Sequence, residues 1–314
     1  MPLTMQDVDR FESLRPRLEA IAYRLLGSAG EAEDVVQETF LRWQAADTGH
    51  IEVLEAWLTK VLTNLCLNQL TSARARRERY VGQWLPEPLL EGDAMLGPAG
   101  TAEQRESVSY AVLTLMERLA PAERAVYVLR EAFDYPHREV AGILGITEAA
   151  SQQLLHRARK HLAEGRARTE IDRASARRIV EEFLSAATTG RTEPLVRLLT
   201  ADAVSIGDGG GKVPARTTPF RGALAVAKFM RGLFKPARSK RALVGGSPAI
   251  YASTANGDPA VVAVVDGRVV GVVCLEVTAD GIAAFRAQAN PDKLGRATEV
   301  WAAADRGEPL FHAF

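Results

Sequence analysis

The chain reads as a multidomain protein, with two all-α helical domains followed by an α+β domain built on a curved antiparallel sheet. Three observations carry this. Apolar residues recur at helical spacing through nearly all of residues 8–168. A stretch rich in Pro and Gly, from Gly82 to about Gly100, interrupts that pattern. After Arg173 the helical spacing soon gives way to β-branched runs bounded by turn residues. With 314 residues and 47% hydrophobic content, the chain can fill two or three cores.

In the first domain, residues 1–82, Phe11, Leu14, Leu18, Ile21, Ala22, Leu25 and Leu26 define a helix that stops at Gly27. A second helix spans Glu31 to Trp43, its core face made by Ala32, Val35, Val36, Thr39, Phe40 and Trp43. A third runs from Leu54 to about Tyr80. Residues 83–107 form the linker, because prolines at 86, 88 and 98 and glycines at 92, 97 and 100 break any helix. The second helical domain, residues 108–168, closes a run of helices predicted at Glu103–Leu119, Ala122–Phe133, Glu139–Leu144 and Glu148–Leu162. In the third domain, residues 172–314, one helix begins around Ile179, Phe183 and Leu184, and another spans Pro194 to Leu199. Strands are expected at Ala203–Ile206, Ala260–Val265, Val269–Val277 and Ile282–Ala287, with a helix from Leu224 to Phe234 among them. The Asp266-Gly267 pair between the second and third strands is a strong hairpin signal.

The formal net charge of zero conceals a division. Residues 1–170 carry 20 Lys/Arg against 25 Asp/Glu, and residues 171–314 carry 19 against 14. No apolar run reaches the roughly 18 residues of a membrane span, and the start lacks a basic-then-apolar leader, so a cytoplasmic protein is expected. Cys66 and Cys274 stand too far apart in sequence for a disulfide framework or metal spacing, and no metal or cofactor is expected.

Three constellations suggest function. Glu139–Leu144, the Gly145-Ile146-Thr147 turn and Glu148–Leu162 have the spacing of a DNA-reading helix pair, in which small Ala141 permits close approach. On the second helix, Ser151, Leu155, Ala158 and Leu162 form the inward stripe. Gln152, Gln153, His156 and Arg157 lie on the opposite face, where amides grip base edges and cations bind phosphates. On the Glu31–Trp43 helix, Asp34, Gln37, Glu38 and Leu41 form a second row, polar except for one leucine, which suits partner docking. The third helix carries Asn64 and ends in four arginines within six residues, including Arg74, Arg76 and Arg77, suited to a DNA backbone beside an unstacked base.

These residues resemble a known family. Glu33-Asp-Val-Val-Gln-Glu-Thr-Phe-Leu-Arg-Trp43, Ala56-Trp-Leu-Thr-Lys-Val61 with Asn64, and the closing helix pair are similar to the two core domains of bacterial extracytoplasmic-function sigma factors. Trp84-Leu-Pro-Glu-Pro88, Asp208-Gly-Gly-Gly-Lys212 and Asn290-Pro-Asp-Lys-Leu294 resemble the subgroup with a fused SnoaL-like C-terminal domain. The resemblance implies that Asp34, Gln37, Glu38 and Leu41 bind core RNA polymerase. It implies that Asn64, with the Asp47–Val53 loop, reads a flipped base of the −10 element, and that Gln152, Gln153, His156 and Arg157 face the −35 element of promoter DNA. The chain departs from the family pattern at Asn68 and Thr71, next to the flipped-base contacts.

SnoaL-like cones include enzymes that use a carboxylate or His as general base. Residues 171–311 contain no histidine, and Asp202, Asp208, Asp266 and Glu276 mostly lie beside glycines or at strand ends, where solvated turns occur. A non-enzymatic domain is expected. The Asp208–Lys212 run lacks the spacing of a phosphate loop and has Val213 where a magnesium-binding hydroxyl belongs. The resemblance instead implies a built-in regulator that replaces a separate anti-sigma protein. Asp208, Lys212, Asn290, Asp292 and Lys293 are expected at an intramolecular contact with the helical half near the linker. The rival reading is a free-standing helix-turn-helix regulator with a ligand-sensing or enzymatic SnoaL-like domain.

Overall fold

A computed structural model describes residues 4–77, 80–163, 173–235 and 237–313. The chain divides into two compact units: residues 1–79 with 93–166, and residues 80–92 with 167–314.

The first unit is helical. Helix α1 (Met5–Leu26) opens with a capping box between Thr4 and Asp7 and ends at Gly27, whose φ of 71° is the left-handed stop that glycine supplies. Helices α2 (Ala29–Ala45) and α3 (Leu54–Arg77) pack on it. Phe11 of α1 anchors α2, with ring centroids 4.9 Å from Phe40 and 5.9 Å from Trp43.

The helix expected from Glu103 to Leu119 is two helices, α4 (Ala102–Val108) and α5 (Tyr110–Met116). Ser109 breaks them with ψ of 144°, and its hydroxyl accepts the backbone N–H of Val112 to start α5. Helix α6 (Pro121–Tyr127) runs into a π-helical turn at Val128–Ala132, so the expected Ala122–Phe133 helix changes its winding midway. Helices α7 (His137–Leu144) and α8 (Glu148–Ala163) follow, and Gly145 between them has φ of 65°.

Two buried arginines tie α1 to later parts of this unit. Arg24 donates to Ser107 Oγ (3.0 Å), to the carbonyl of Leu96 (2.7 Å) and to that of Ala20 (3.3 Å). Arg124 donates to the Arg24 carbonyl (3.2 and 3.3 Å) and to Glu117 (2.6 Å). Burial lowers their pKa values to about 10 and about 9, so both remain charged at neutral pH. Their hydrogen bonds offset the cost of taking each guanidinium out of water.

The second unit is α+β. After α9 (Arg173–Thr188) and α10 (Glu193–Leu198), seven strands form one sheet in the order β2-β1-β6-β5-β4-β3-β7. They are β1 (Leu199–Asp208), β2 (Phe220–Arg221), β3 (Ala249–Ala255), β4 (Asp258–Val265), β5 (Arg268–Thr278), β6 (Gly281–Gln288) and β7 (Phe311–His312). Helices α11 (Ala223–Phe234) and α12 (Arg238–Val244) precede β3, and α13 (Gly295–Ala302) precedes β7. One pairing departs from the antiparallel expectation: β1 runs parallel to β6, its crossover supplied by the intervening elements. Two tight hairpins join β3–β4 and β4–β5, at Asn256-Gly257 (φ 54° and 76°) and Asp266-Gly267 (φ 49° and 75°). One sheet face buries Val261, Leu275, Ile282 and Phe285 against Val180, Phe183 and Leu184 of α9 and Val226 and Met230 of α11.

The expected linker at 83–107 is divided between the units. Residues 80–92 lie on the sheet of the second unit, with Leu85, Leu89 and Leu90 at most 1% exposed. Leu89 and Asn256 exchange hydrogen bonds (2.8 and 3.0 Å), and Leu90 bridges Ala255. The segment therefore behaves as an added piece of this unit's core.

Candidate functional site

Helix α8 buries Ser151, Leu155, Ala158 and Leu162. Gln152, Gln153, His156 and Arg157 are exposed on its other side. The helix is held at two points. His137 Nδ1 lies 2.9 Å from Ser151 Oγ, and Arg159 pairs with Glu131 at 2.8 Å. The four exposed side chains thus project from a helix fixed by its inner face.

On α2, Ala32, Val35, Val36, Thr39 and Trp43 are buried, while Asp34 and Gln37 are exposed and Glu38 is half-buried. Leu41 is 47% exposed, an apolar side chain in a polar row. Glu38 pairs with Arg42 at 2.9 Å, which leaves Leu41 framed by charge. On α3, Asn64 and Asn68 are exposed between the buried positions Leu62, Thr63, Cys66 and Leu70. The Asp47–Val53 connection contains a short 3-10 turn at Thr48–His50. Arg74, Arg76 and Arg77 belong to the last turns of α3, but their side chains lie outside the described residues.

The five residues expected at a regulatory contact fall into two groups. Asp208, Asn290 and Lys293 gather on residues 80–86, within the second unit. The Asp208 carboxylate is wholly buried, contrary to the solvated turn expected for it. It accepts from Tyr80 Oη (2.6 Å), the backbone N–H groups of Leu85 and Gly210 (3.0 Å each), Gln288 Nε2 (3.3 Å) and Lys293 Nζ (2.7 Å). Lys293 also donates to the Leu85 carbonyl at 2.7 Å and lies 4.7 and 4.3 Å from the ring centroids of Tyr80 and Trp84. Asn290 donates to Tyr80 Oη at 2.9 Å. Burial, and then the Asp208 carboxylate, push the Tyr80 hydroxyl well above its usual pKa. Lys212 and Asp292 pair with each other instead, at 2.6 Å and largely in solvent.

Close packing explains the glycine run. A Cβ on Gly210, whose φ is 60°, would fall 2.3 Å from Asn290 Nδ2. Leu85, from the Trp84–Pro88 motif, joins the cluster, and Tyr80 and Gln288, which were not singled out from the sequence, complete it. Gln288 sits two residues before Asn290, and Tyr80 precedes the Trp84 motif, so proximity to named motifs was the available signal. Of the other carboxylates, Asp202 and Asp266 are exposed, and Glu276 is held by Arg286.

Residues 10–76 match the family model for Sigma-70 region 2, and residues 109–162 match that for Sigma-70, region 4. The ECF RNA polymerase sigma factor SigJ of Mycobacterium tuberculosis is 36% identical over 297 residues, covering 91% of this chain and 93% of that protein. The probable ECF RNA polymerase sigma factor SigI of the same species is 31% identical over 291 residues, covering 89% and 92%. The crystal structure of SigJ superposes with a TM-score of 0.71 at 33% identity, covering 91% of this chain and 97% of that one. Both helical segments and the α+β unit that follows are thus shared with one family, and this chain belongs to the extracytoplasmic-function RNA polymerase sigma factors.

Proposed function

We propose that this sigma factor works as a non-enzymatic, cytoplasmic promoter-specificity subunit whose own C-terminal unit regulates it, with no separate anti-sigma protein. Asp34, Gln37, Glu38 and Leu41 dock on core RNA polymerase. Asn64, with the Asp47–Val53 loop and the arginines at the end of α3, engages the −10 element. Gln152, Gln153, His156 and Arg157 engage the −35 element. The observation that carries this reading is Leu41, 47% exposed within the segment matching region 2. A free-standing helix-turn-helix regulator has no need of an apolar side chain there.

Regulation acts through the capture of residues 80–92, which connect the two promoter-reading segments. Thirteen free residues could stretch over as much as about 40 Å at about 3.4 Å per residue, whereas anchored on the sheet their span is fixed. The −35 and −10 positions lie roughly 85 Å apart along B-DNA at about 3.4 Å per step. The connector therefore limits how far the two readers separate. Against catalysis, Asp208 is saturated by donors and Glu276 is neutralised by Arg286, so neither serves as a general base.

Transcription in vitro with purified core polymerase tests the reading. Initiation from a subset of promoters that core polymerase alone ignores is the expected result. Binding to duplex DNA without any core-dependent initiation would favour the free-standing regulator.

A further inference from the structure

We propose that the α11–α12 face of the C-terminal unit is a phosphate-binding surface for duplex DNA, adding backbone affinity to the helices that read promoter sequence.

The charge distribution points there first. From Gly209 to Gly257 the chain has nine Lys/Arg and no Asp or Glu in 49 residues. The rest of residues 171–314 holds ten Lys/Arg against 14 acids. The positive excess of the C-terminal domain is therefore confined to this one stretch. The fold puts its cations outward: Arg221, Lys228, Arg231, Lys235, Arg238 and Arg241 are all exposed.

Several arginines on other helices pair with acids one turn away, as in Arg15–Glu12, Arg42–Glu38 and Arg177–Glu181. Helices α11 and α12 contain no acid that could do this. Arg231 instead reaches the Gly190 carbonyl (3.4 Å) and Thr192 Oγ1 (3.1 Å). Helix α12 buries none of its residues. It is tethered by Lys240, whose ammonium donates to the carbonyls of Leu233 (3.0 Å) and Lys235 (2.7 Å) at the end of α11. A helix held in place without contributing to the core, and studded with cations, has the character of a contact surface.

Duplex DNA fits it better than an acidic protein. Residues 1–170 are net negative, 20 Lys/Arg against 25 acids, although they hold both promoter-reading segments. Phosphate contacts supply much of the affinity of DNA-binding proteins, and in that half acids outnumber the cations that make them. Lys228 and Arg231, three residues apart on α11, stand about 5–6 Å apart on one face, close enough to engage neighbouring phosphates together. The inference rests on the chain acting at DNA, and adds a surface that reads no sequence.

The test uses the full-length chain and the triple variant Lys228→Ala, Lys235→Ala, Arg238→Ala, all at exposed positions, with circular dichroism and melting to establish an intact fold. Each is titrated with non-promoter duplex DNA between about 50 and 200 mM salt. The variant should bind roughly tenfold more weakly at the low end, and its salt slope should shrink by about 2–3, near 0.9 per lost phosphate contact. Its preference for promoter over non-promoter DNA should not change. Unchanged affinity and slope would overturn the proposal. So would loss of binding to anionic vesicles or to core polymerase while DNA binding persists. Core-dependent initiation is measured separately, so failure of the sigma-factor reading is distinguishable from failure of this surface.

Discussion

Lys293 Nζ lies 2.7 Å from Asp208 Oδ2, in a cluster where Asp208 is 0% and Lys293 9% exposed. Tyr80, Trp84 and Leu85 all contact the pair, so charge neutralisation and capture of the connector are coupled. Breaking a buried pair leaves an uncompensated charge, which costs far more than losing an exposed one.

Lys293→Met should therefore destabilise the second unit by about 3–5 kcal/mol. Adding Asp208→Asn should recover part of the loss, because the remaining group is neutral. Thermal melting measures both, and hydrogen exchange should speed up at the amides of Tyr80 to Leu90. If exchange there is unaffected in Lys293→Met, the pair does not hold the connector.

Leu41→Asp should leave the helical content of α2 intact, since Leu41 faces solvent. Its affinity for core polymerase should fall by about 2 kcal/mol or more, as at a central hot spot. Equal affinities in a titration against core enzyme would remove Leu41 from the docking surface.

For the −35 element, Gln152→Ala should relax the preference at one base position by about 1–3 kcal/mol, whereas Arg157→Ala should weaken binding and reduce its salt dependence. Panels of single-base promoter variants distinguish these effects. A uniform loss across the panel for Gln152→Ala would mean that it reads no base.

His137 is expected to make the helical unit acid-sensitive. Burial, and then Arg130, hold its pKa below the ordinary 6.5. The unfolded chain therefore takes up the proton first as pH falls, and stability decreases from about pH 6.5 down to the folded value. The contact to Ser151 Oγ survives protonation, because the hydroxyl can accept from the protonated ring nitrogen, so the loss comes from burial of the charge. Melting of wild type and His137→Asn at about pH 7.5 and about pH 5 should show a smaller acid loss in the variant. Identical losses would assign the acid sensitivity to other groups.

What the sequence determined by itself is local. The 3.6-residue spacing of Phe11 to Leu26, of Ala32 to Trp43 and of Ser151 to Leu162 specifies which helix faces are buried, and hence that Leu41 and Gln152 point outward. Gly27, Gly145 and Asp266-Gly267 mark turns because their positive φ values demand such residues. Family membership was also legible, since its motifs lie on those same helices. Tertiary structure decided whatever depends on partners distant in the chain. Asp208 meets Leu85 across 123 residues, and Arg124 meets Arg24 across 100. No local periodicity records those meetings, so a glycine-flanked aspartate passed for a solvated turn. Strand β3 was missed for a related reason: alanine and serine fill much of it, so it lacks the β-branched run that marks β4 and β5. It becomes a strand by pairing with β4 along its whole length. The parallel register of β1 on β6 and the seating of residues 80–92 on the sheet likewise come from long-range burial, which a linear pattern of prolines and glycines does not encode.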